Sequence, residues 1–250
     1  MVADIAAWAP DHIVLTGDLT NFSTAAEFER ARVWLEGLGA PSQVTVSPGN
    51  HDALVAPGLK DRFAGLRPWF GDEGDAFPYV RRRGPAAIVN LCSATPTRPH
   101  LATGRLGADQ LERLDAILGD LGREGLVRIL VLHHPVIEGA VAWRKSLTDG
   151  QALRDVVRRR GAELVLHGHA HKPAFGSVAG PRGPTPVLGA PSASSTLGEH
   201  EPAYWHAIEI DAAAGGPRLK VIVRGYDPQT GGVAEVGRYR LPPVSADIAA

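Results

Sequence analysis

Six of the ten histidines in this 250-residue chain stand in three short groups: His51, the pair His133-His134, and His167, His169 and His171. Beside them lie the pair Gly17-Asp18 and the run Gly49-Asn50-His51-Asp52. Imidazoles with a carboxylate and an amide oxygen make a mixed nitrogen and oxygen donor set, the kind that suits Zn, Mn, Fe or Co. Gathered in one place without a cation, such groups cost kilocalories each to bury. Divalent-metal binding is therefore the chemistry these residue types point to. Taken singly, each piece has a plainer reading: Gly17-Asp18 as a turn, Gly49 to Asp52 as a hairpin, His133-His134-Pro135 as a strand end. The ordered set, with each member following its own strand, resists that reading.

Four apolar runs must position these residues. Residues 12–16, 43–47, 127–132 and 163–166 read as buried strands, and each ends where a polar group begins. In an open α/β sheet, ligands gather outside the C-terminal ends of parallel strands. Between them, 24–38 reads as a helix with Phe28, Ala31, Leu35 and Leu38 on one stripe and Gly39 closing it. Residues 107–122 carry leucines at 111, 114, 118 and 121, and 149–161 has Asp149 as N-cap and Gly161 as C-cap. Residues 86–93 read as a further strand, and 53–85 as a long irregular loop. The last third changes character: 185–190, 204–211, 218–225 and 234–241 are strand-like with no helix between them. The expected fold is α/β, two packed mixed β-sheets flanked by helices, an αββα sandwich. It forms one domain over 1–241 with a loose tail at 242–250.

Composition narrows the partners. With 44% hydrophobic and 21% charged residues and a net charge of -1, the chain reads as an ordinary soluble protein. The neutral balance argues against nucleic-acid and membrane-surface binding. The single cysteine, Cys92, leaves no internal disulfide framework. No apolar stretch approaches the roughly 18 residues of a membrane span. The first residues lack a basic and apolar leader pattern, so the expectation is a cytoplasmic protein.

In order, GD (17–18), GNHD (49–52), HHP (133–135) and GHAH (168–171) resemble blocks of the calcineurin-like metallophosphoesterases. The texts GDLT, LHHP and G-R-L-x-x-x-Q-L at 104–111 are most similar to the branch that contains bacterial cyclic-nucleotide phosphodiesterases. The resemblance extends over about residues 10 to 210 and implies a metal-dependent phosphoester hydrolase, with a diester favoured over a monoester. Two divalent ions, Mn, Fe or Zn, would share a hydroxide that attacks phosphorus in line. Position by position, it implies Asp18 between the two metals, Asn50, His133 and His169 on the second, and His171 on the first. His51 would lie beside the phosphate as a catalytic group, with Asp52 orienting it, and His134 and His167 would act in support. The partner implied is a small phosphorylated substrate. Trp143, Arg144 and Lys145 are candidates to meet its anionic group; the plainer reading makes Arg144-Lys145 and Arg81-Arg82-Arg83 solvated surface charge.

One block of the family pattern, D-x-H, has no counterpart. Asp11-His12 precedes its strand, at the wrong edge and with the wrong spacing. The expectation is that about 30 to 45 residues carrying this block belong upstream. The alternative is a site half-stripped of its first metal's ligands, in a catalytically impaired metal-binding or scaffold protein. Either way the expected sheet lacks its first central strand, which leaves edge backbone and apolar surface uncovered.

Overall fold

Short β-branched runs become the strands that matter in this computed structural model, which describes residues 1–54, 63–195, 202–211 and 216–241. After a helix α1 (Val2–Trp8) comes β1 (Ile13–Leu15). Helix α2 (Ala25–Leu38) starts at Thr24, whose hydroxyl accepts the Glu27 N–H while Glu27 reaches back to the Thr24 N–H. It leads to β2 (Val44–Val46), which pairs in parallel with β1, Ile13 opposite Val44.

The larger sheet takes β3 (Tyr79–Arg83), β4 (Ala86–Asn90), β5 (Val127–Val131), β6 (Leu164–His167), β7 (Ala174–Gly180) and β8 (Gly183–Gly189). Their order is β3-β4-β5-β6-β8-β7. The four central strands are parallel, and β3 and β7 close the edges antiparallel. Helix α3 (Ala108–Arg123) joins β4 to β5, and α4 (Gly150–Arg160) joins β5 to β6. The chain ends its described part in an antiparallel meander of β9 (Tyr204–Asp211), β10 (Arg218–Asp227) and β11 (Gly232–Arg240).

Period-2 alternation splits the large sheet between two cores. On one face Ala87, Val89, Leu130, Val165 and Val187 meet Leu114, Leu118 and Leu121 of α3 and Leu153, Val156 and Val157 of α4. On the other, Ile88, Ile129, Val131 and Leu164 meet Leu219 and Val221 of β10, with Val14 of β1 beside them. A third core packs Phe28 and Leu35 of α2 against Val44, Val46, Trp69 and Phe70. The layers therefore run α3/α4, six-stranded sheet, the β1–β2 pair with the meander, then α2: the αββα order expected. Among the described residues β1 pairs with β2 alone, and its three residues are only half-buried. This differs from the strand buried on both faces that the apolar run suggests.

Four local expectations need correction. Residues 53–85 are not all irregular: 64–69 form a 3₁₀ helix and 79–83 form β3, while 55–62 lie outside the described residues. Arg81 is not solvated. It is 1% exposed, with guanidinium nitrogens donating to the carbonyls of Pro41 and Pro68. Asp149 does not cap α4 with its side chain; the carboxylate accepts the N–H groups of Leu106 and Gly107 instead, at 3.0 and 2.8 Å. Residues 185–190 do not join the meander but lie parallel to β6 inside the large sheet.

Candidate metal and catalytic site

The C-terminal ends of β1, β2, β5 and β6 converge where the two β layers meet. Gly17 and Gly49 make the approach possible. A side-chain carbon on Gly17, at φ +105°, would lie 2.6 Å from His133 Nδ1, and one on Gly49 would collide with the Asp18 carboxylate. Asp18 itself sits in the left-handed region at φ +61°, as do His169 at +65° and His171 at +52°. Unusual backbone of this kind persists where the surroundings hold it and clusters at functional sites.

Around that bend the donors come together. His133 Nε2 stands 3.0 Å from Asn50 Oδ1, 3.1 Å from His169 Nδ1 and 3.3 Å from Asp18 Oδ2. One ligand atom each from Asp18, His133 and His169 fits within 4.8 Å of the others. His133 Nδ1 lies 2.7 Å from the Thr16 carbonyl, which as an acceptor fixes the proton on Nδ1 and leaves Nε2 facing the cluster. His169 Nε2 is buried with no hydrogen-bond partner. A carboxylate oxygen, an amide oxygen and two imidazole nitrogens held this close together in a buried place fit a divalent cation.

Electrostatics separate the two imidazoles. Burial opposes charge on His133, but the Asp18 carboxylate outweighs it and raises the pKa above the ordinary value. For Asp18 burial works upward, yet His133 and the His51 N–H prevail and bring the carboxyl down to about 2. His169 goes to about 3, through burial first and the neighbouring His133 second. Asp18 is thus anionic and His169 neutral, the states that metal ligation requires, while His133 favours a proton that a bound cation would displace.

His51 is tied to the cluster through its backbone, its N–H donating to Asp18 Oδ1 at 2.9 Å. Its ring Nδ1 lies 2.9 Å from the Asn21 carbonyl, so Asn21 orients the ring, and not the Asp52 that the resemblance implies. Asp52 is 1% exposed and serves the backbone: its carboxylate accepts the N–H of Gly49 (2.8 Å), Thr20 (2.9 Å) and Asp18 (3.0 Å), and the Thr20 hydroxyl (3.0 Å). It staples the loop after β1 to the loop after β2. Burial raises its pKa from the ordinary value, with the nearby Asp18 charge adding to the shift.

The remaining histidines fall outside the donor group. His171 is exposed on the bend after β6. His134 is fully buried, Nδ1 2.7 Å from Ser93 Oγ and Nε2 3.2 Å from the Ala102 carbonyl, with its ring centroid 4.6 Å from that of His169. His167 turns Nδ1 to the Gly168 carbonyl at 3.0 Å. Two contributors left no mark in the motifs: Thr16, through a backbone carbonyl, and Thr20, whose only signal was its place in GDLT.

Comparison with known proteins agrees with this geometry. Residues 1–173 match the family model described as Calcineurin-like phosphoesterase. A probable cyclic nucleotide phosphodiesterase of Synechococcus sp. is 34% identical over 207 residues, which cover 81% of this chain and 73% of that protein. A cAMP/cGMP dual specificity phosphodiesterase of Mycobacterium tuberculosis is 31% identical over 65% of this chain, which spans only 49% of its length. A dimetal phosphatase from Danio rerio superposes with a TM-score of 0.63 over 98% of this chain and 87% of that one, at 13% identity. No helix among the described residues is long and apolar enough to cross a membrane.

Proposed function

This chain belongs to the calcineurin-like phosphoesterase family, and from that premise we propose that it hydrolyses small phosphodiesters, cyclic nucleotides foremost. The observation that carries the reading is the convergence of Asp18, Asn50 and His169 on one buried imidazole nitrogen, His133 Nε2, at 3.0 to 3.3 Å. Relatives named for cyclic nucleotides support the diester and the small substrate.

Asp18, Asn50, His133 and His169 are the residues to hold a divalent cation, with His171 as a further ligand; Mn, Fe and Zn all suit the donor set. When bound, such cations supply Lewis acidity to the phosphoryl oxygens during in-line attack by water. The chain's own groups do the rest. The Thr16 carbonyl holds the His133 tautomer, and the His51 N–H holds the Asp18 carboxylate in register with the loop after β2. His51, its Nδ1 committed to Asn21, offers Nε2 to steady charge or to donate a proton to the leaving oxygen. Asp52 positions both loops without touching substrate.

A phosphomonoesterase would use the same ligands. Turnover of cyclic AMP and bis(p-nitrophenyl) phosphate against p-nitrophenyl phosphate, with Mn, Fe or Zn added, separates the two. Faster diester cleavage supports the proposal, monoester cleavage alone replaces it, and absence of both with no bound metal favours a scaffold.

A further inference from the structure

Trp143 is 76% exposed, more than any other large apolar side chain among the described residues. It opens a short 3₁₀ turn, Trp143–Lys145, that is well tied down. The Lys145 N–H donates to the Ala142 carbonyl at 2.8 Å, and the Ser146 hydroxyl to the Trp143 carbonyl at 2.8 Å. The turn is in turn fastened to residues 102–104. The Ala102 N–H donates to the Arg144 carbonyl (2.8 Å), the Gly104 N–H to the Ser146 carbonyl (3.0 Å), and the Thr148 N–H to the Gly104 carbonyl (2.9 Å).

Residues 102–104 lie directly on the site. The Ala102 carbonyl is 3.2 Å from His134 Nε2, and Gly104 packs so closely on that ring that no side chain fits at 104. The His134 ring is the neighbour of His169. Only one backbone pairing and one imidazole therefore separate the Trp143 turn from the metal-ligand cluster. Lys145 acts electrostatically on His169, which places its charge within reach of that cluster. Among the described residues neither Arg144 nor Lys145 has a carboxylate partner, whereas Arg154 and Arg160, on the helix that follows, are both ion-paired.

We propose that this turn is the substrate-selecting wall of the site: the Trp143 ring receives the flat face of a purine base, and Lys145 faces the phosphoester charge. The proposal rests on the phosphoester reading and adds to it the residues that would select a nucleotide over other phosphoesters. An aromatic this exposed is a ready stacking platform, and one stacked base is worth about ten-fold or more in affinity. An unpaired lysine at the rim adds a smaller, salt-screened attraction common to any phosphate.

Calorimetric binding of two probes, AMP and glycerol 3-phosphate, tests it with Mn present and no turnover required. Wild-type protein is expected to prefer AMP by about ten-fold. W143A should lose that preference while holding glycerol 3-phosphate within about two-fold, W143F should keep most of it, and K145Q should weaken both probes by the same few-fold factor. Equal affinity of the wild type for the two probes overturns the proposal, as does a W143A variant that weakens both alike or a K145Q variant that weakens neither. Wild-type protein that binds neither probe overturns the phosphoester reading as well, whereas glycerol 3-phosphate bound without preference for AMP overturns this inference alone.

Discussion

His133 Nε2 lies 3.3 Å from Asp18 Oδ2, joining a residue that follows a strand of the six-stranded sheet to one that follows a strand of the other layer. Each determines the other's charge: the carboxylate raises the imidazole pKa, and the imidazole lowers the carboxyl. The Asp18→Asn variant removes the negative charge and keeps the shape. It is expected to retain the wild-type circular-dichroism spectrum, to lose bound metal, and to lose activity by more than the 10- to 100-fold that accompanies loss of a mere supporting group. Metal analysis beside a diester assay checks this, and near-normal turnover in Asp18→Asn would overturn the site.

Asp52 predicts a different signature, since it touches only protein. Removing its carboxylate leaves the N–H groups of Gly49, Thr20 and Asp18 short of an acceptor in a buried place. An unsatisfied buried donor costs about 1–3 kcal/mol, so Asp52→Ala should destabilise by about 3 kcal/mol or more. For a chain of this size that is a fall in melting temperature of about 6–12 °C. Calorimetry measures it directly. A variant melting within a degree of wild type would show that the loops after β1 and β2 hold themselves in place.

How far the site was legible follows from the same residues. Asp18, Asn50, His133 and His169 were readable because each ends an apolar run, and such ends meet at one edge of a layered α/β fold. The sandwich followed from the switch between helix-linked and helix-free strands, and the helix boundaries from periodicity together with closing glycines such as Gly39 and Gly161. What periodicity does not carry is the backbone: nothing in the residue type of Thr16 or Asn21 announces that its carbonyl will orient His133 or His51. The same holds for Asp52, whose neighbourhood to His51 in sequence suggested a partner that the fold gives to Asn21. Arg81 misled because three successive arginines read as surface, while strand alternation turns only the middle of such a run away from its neighbours. β7 hid in an Ala/Gly-rich segment with little apolar alternation.

Stability should fall in mild acid. Burial, then the charges of Arg81 and Arg83, push the His12 pKa down to about 3. Burial brings His206 to about 4, and burial with the charges of His133 and His169 brings His134 to about 2. The unfolded chain takes these protons near pH 6.5, the folded one only far lower, so their contribution is full above pH 6.5 and drains away as pH falls toward 4. Each accounts for up to about 1.4 kcal/mol per pH unit. His133 acts in the opposite sense, its contribution present below its unfolded value and lost as pH rises, but with His167 and His169 also shifted down it is one histidine against five. Urea midpoints should therefore drop steadily between pH 7 and 4.5, and His12→Gln should flatten the slope. A midpoint independent of pH over that range would contradict the assignment.

Far from the site, Arg128 near the start of β5 and Glu163 just before β6 form an ion pair with both side chains 3% exposed. The guanidinium donates to both carboxylate oxygens, at 3.0 and 2.7 Å, and to the carbonyls of Arg160 and Leu118. Breaking such a pair strands a buried charge and costs about 3–5 kcal/mol, whereas removing both charges with apolar replacements is far milder. Arg128→Met alone should therefore destabilise by about 3 kcal/mol, the low end of that range because Arg182 still reaches Glu163 at 3.4 Å, and adding Glu163→Leu should recover much of it. Because these residues stand at the strand ends opposite the metal ligands, both variants should keep wild-type activity per folded molecule. Denaturant unfolding paired with active-site titration reads the two effects separately, and a double variant no more stable than Arg128→Met would mean that Glu163 is stable there without its partner.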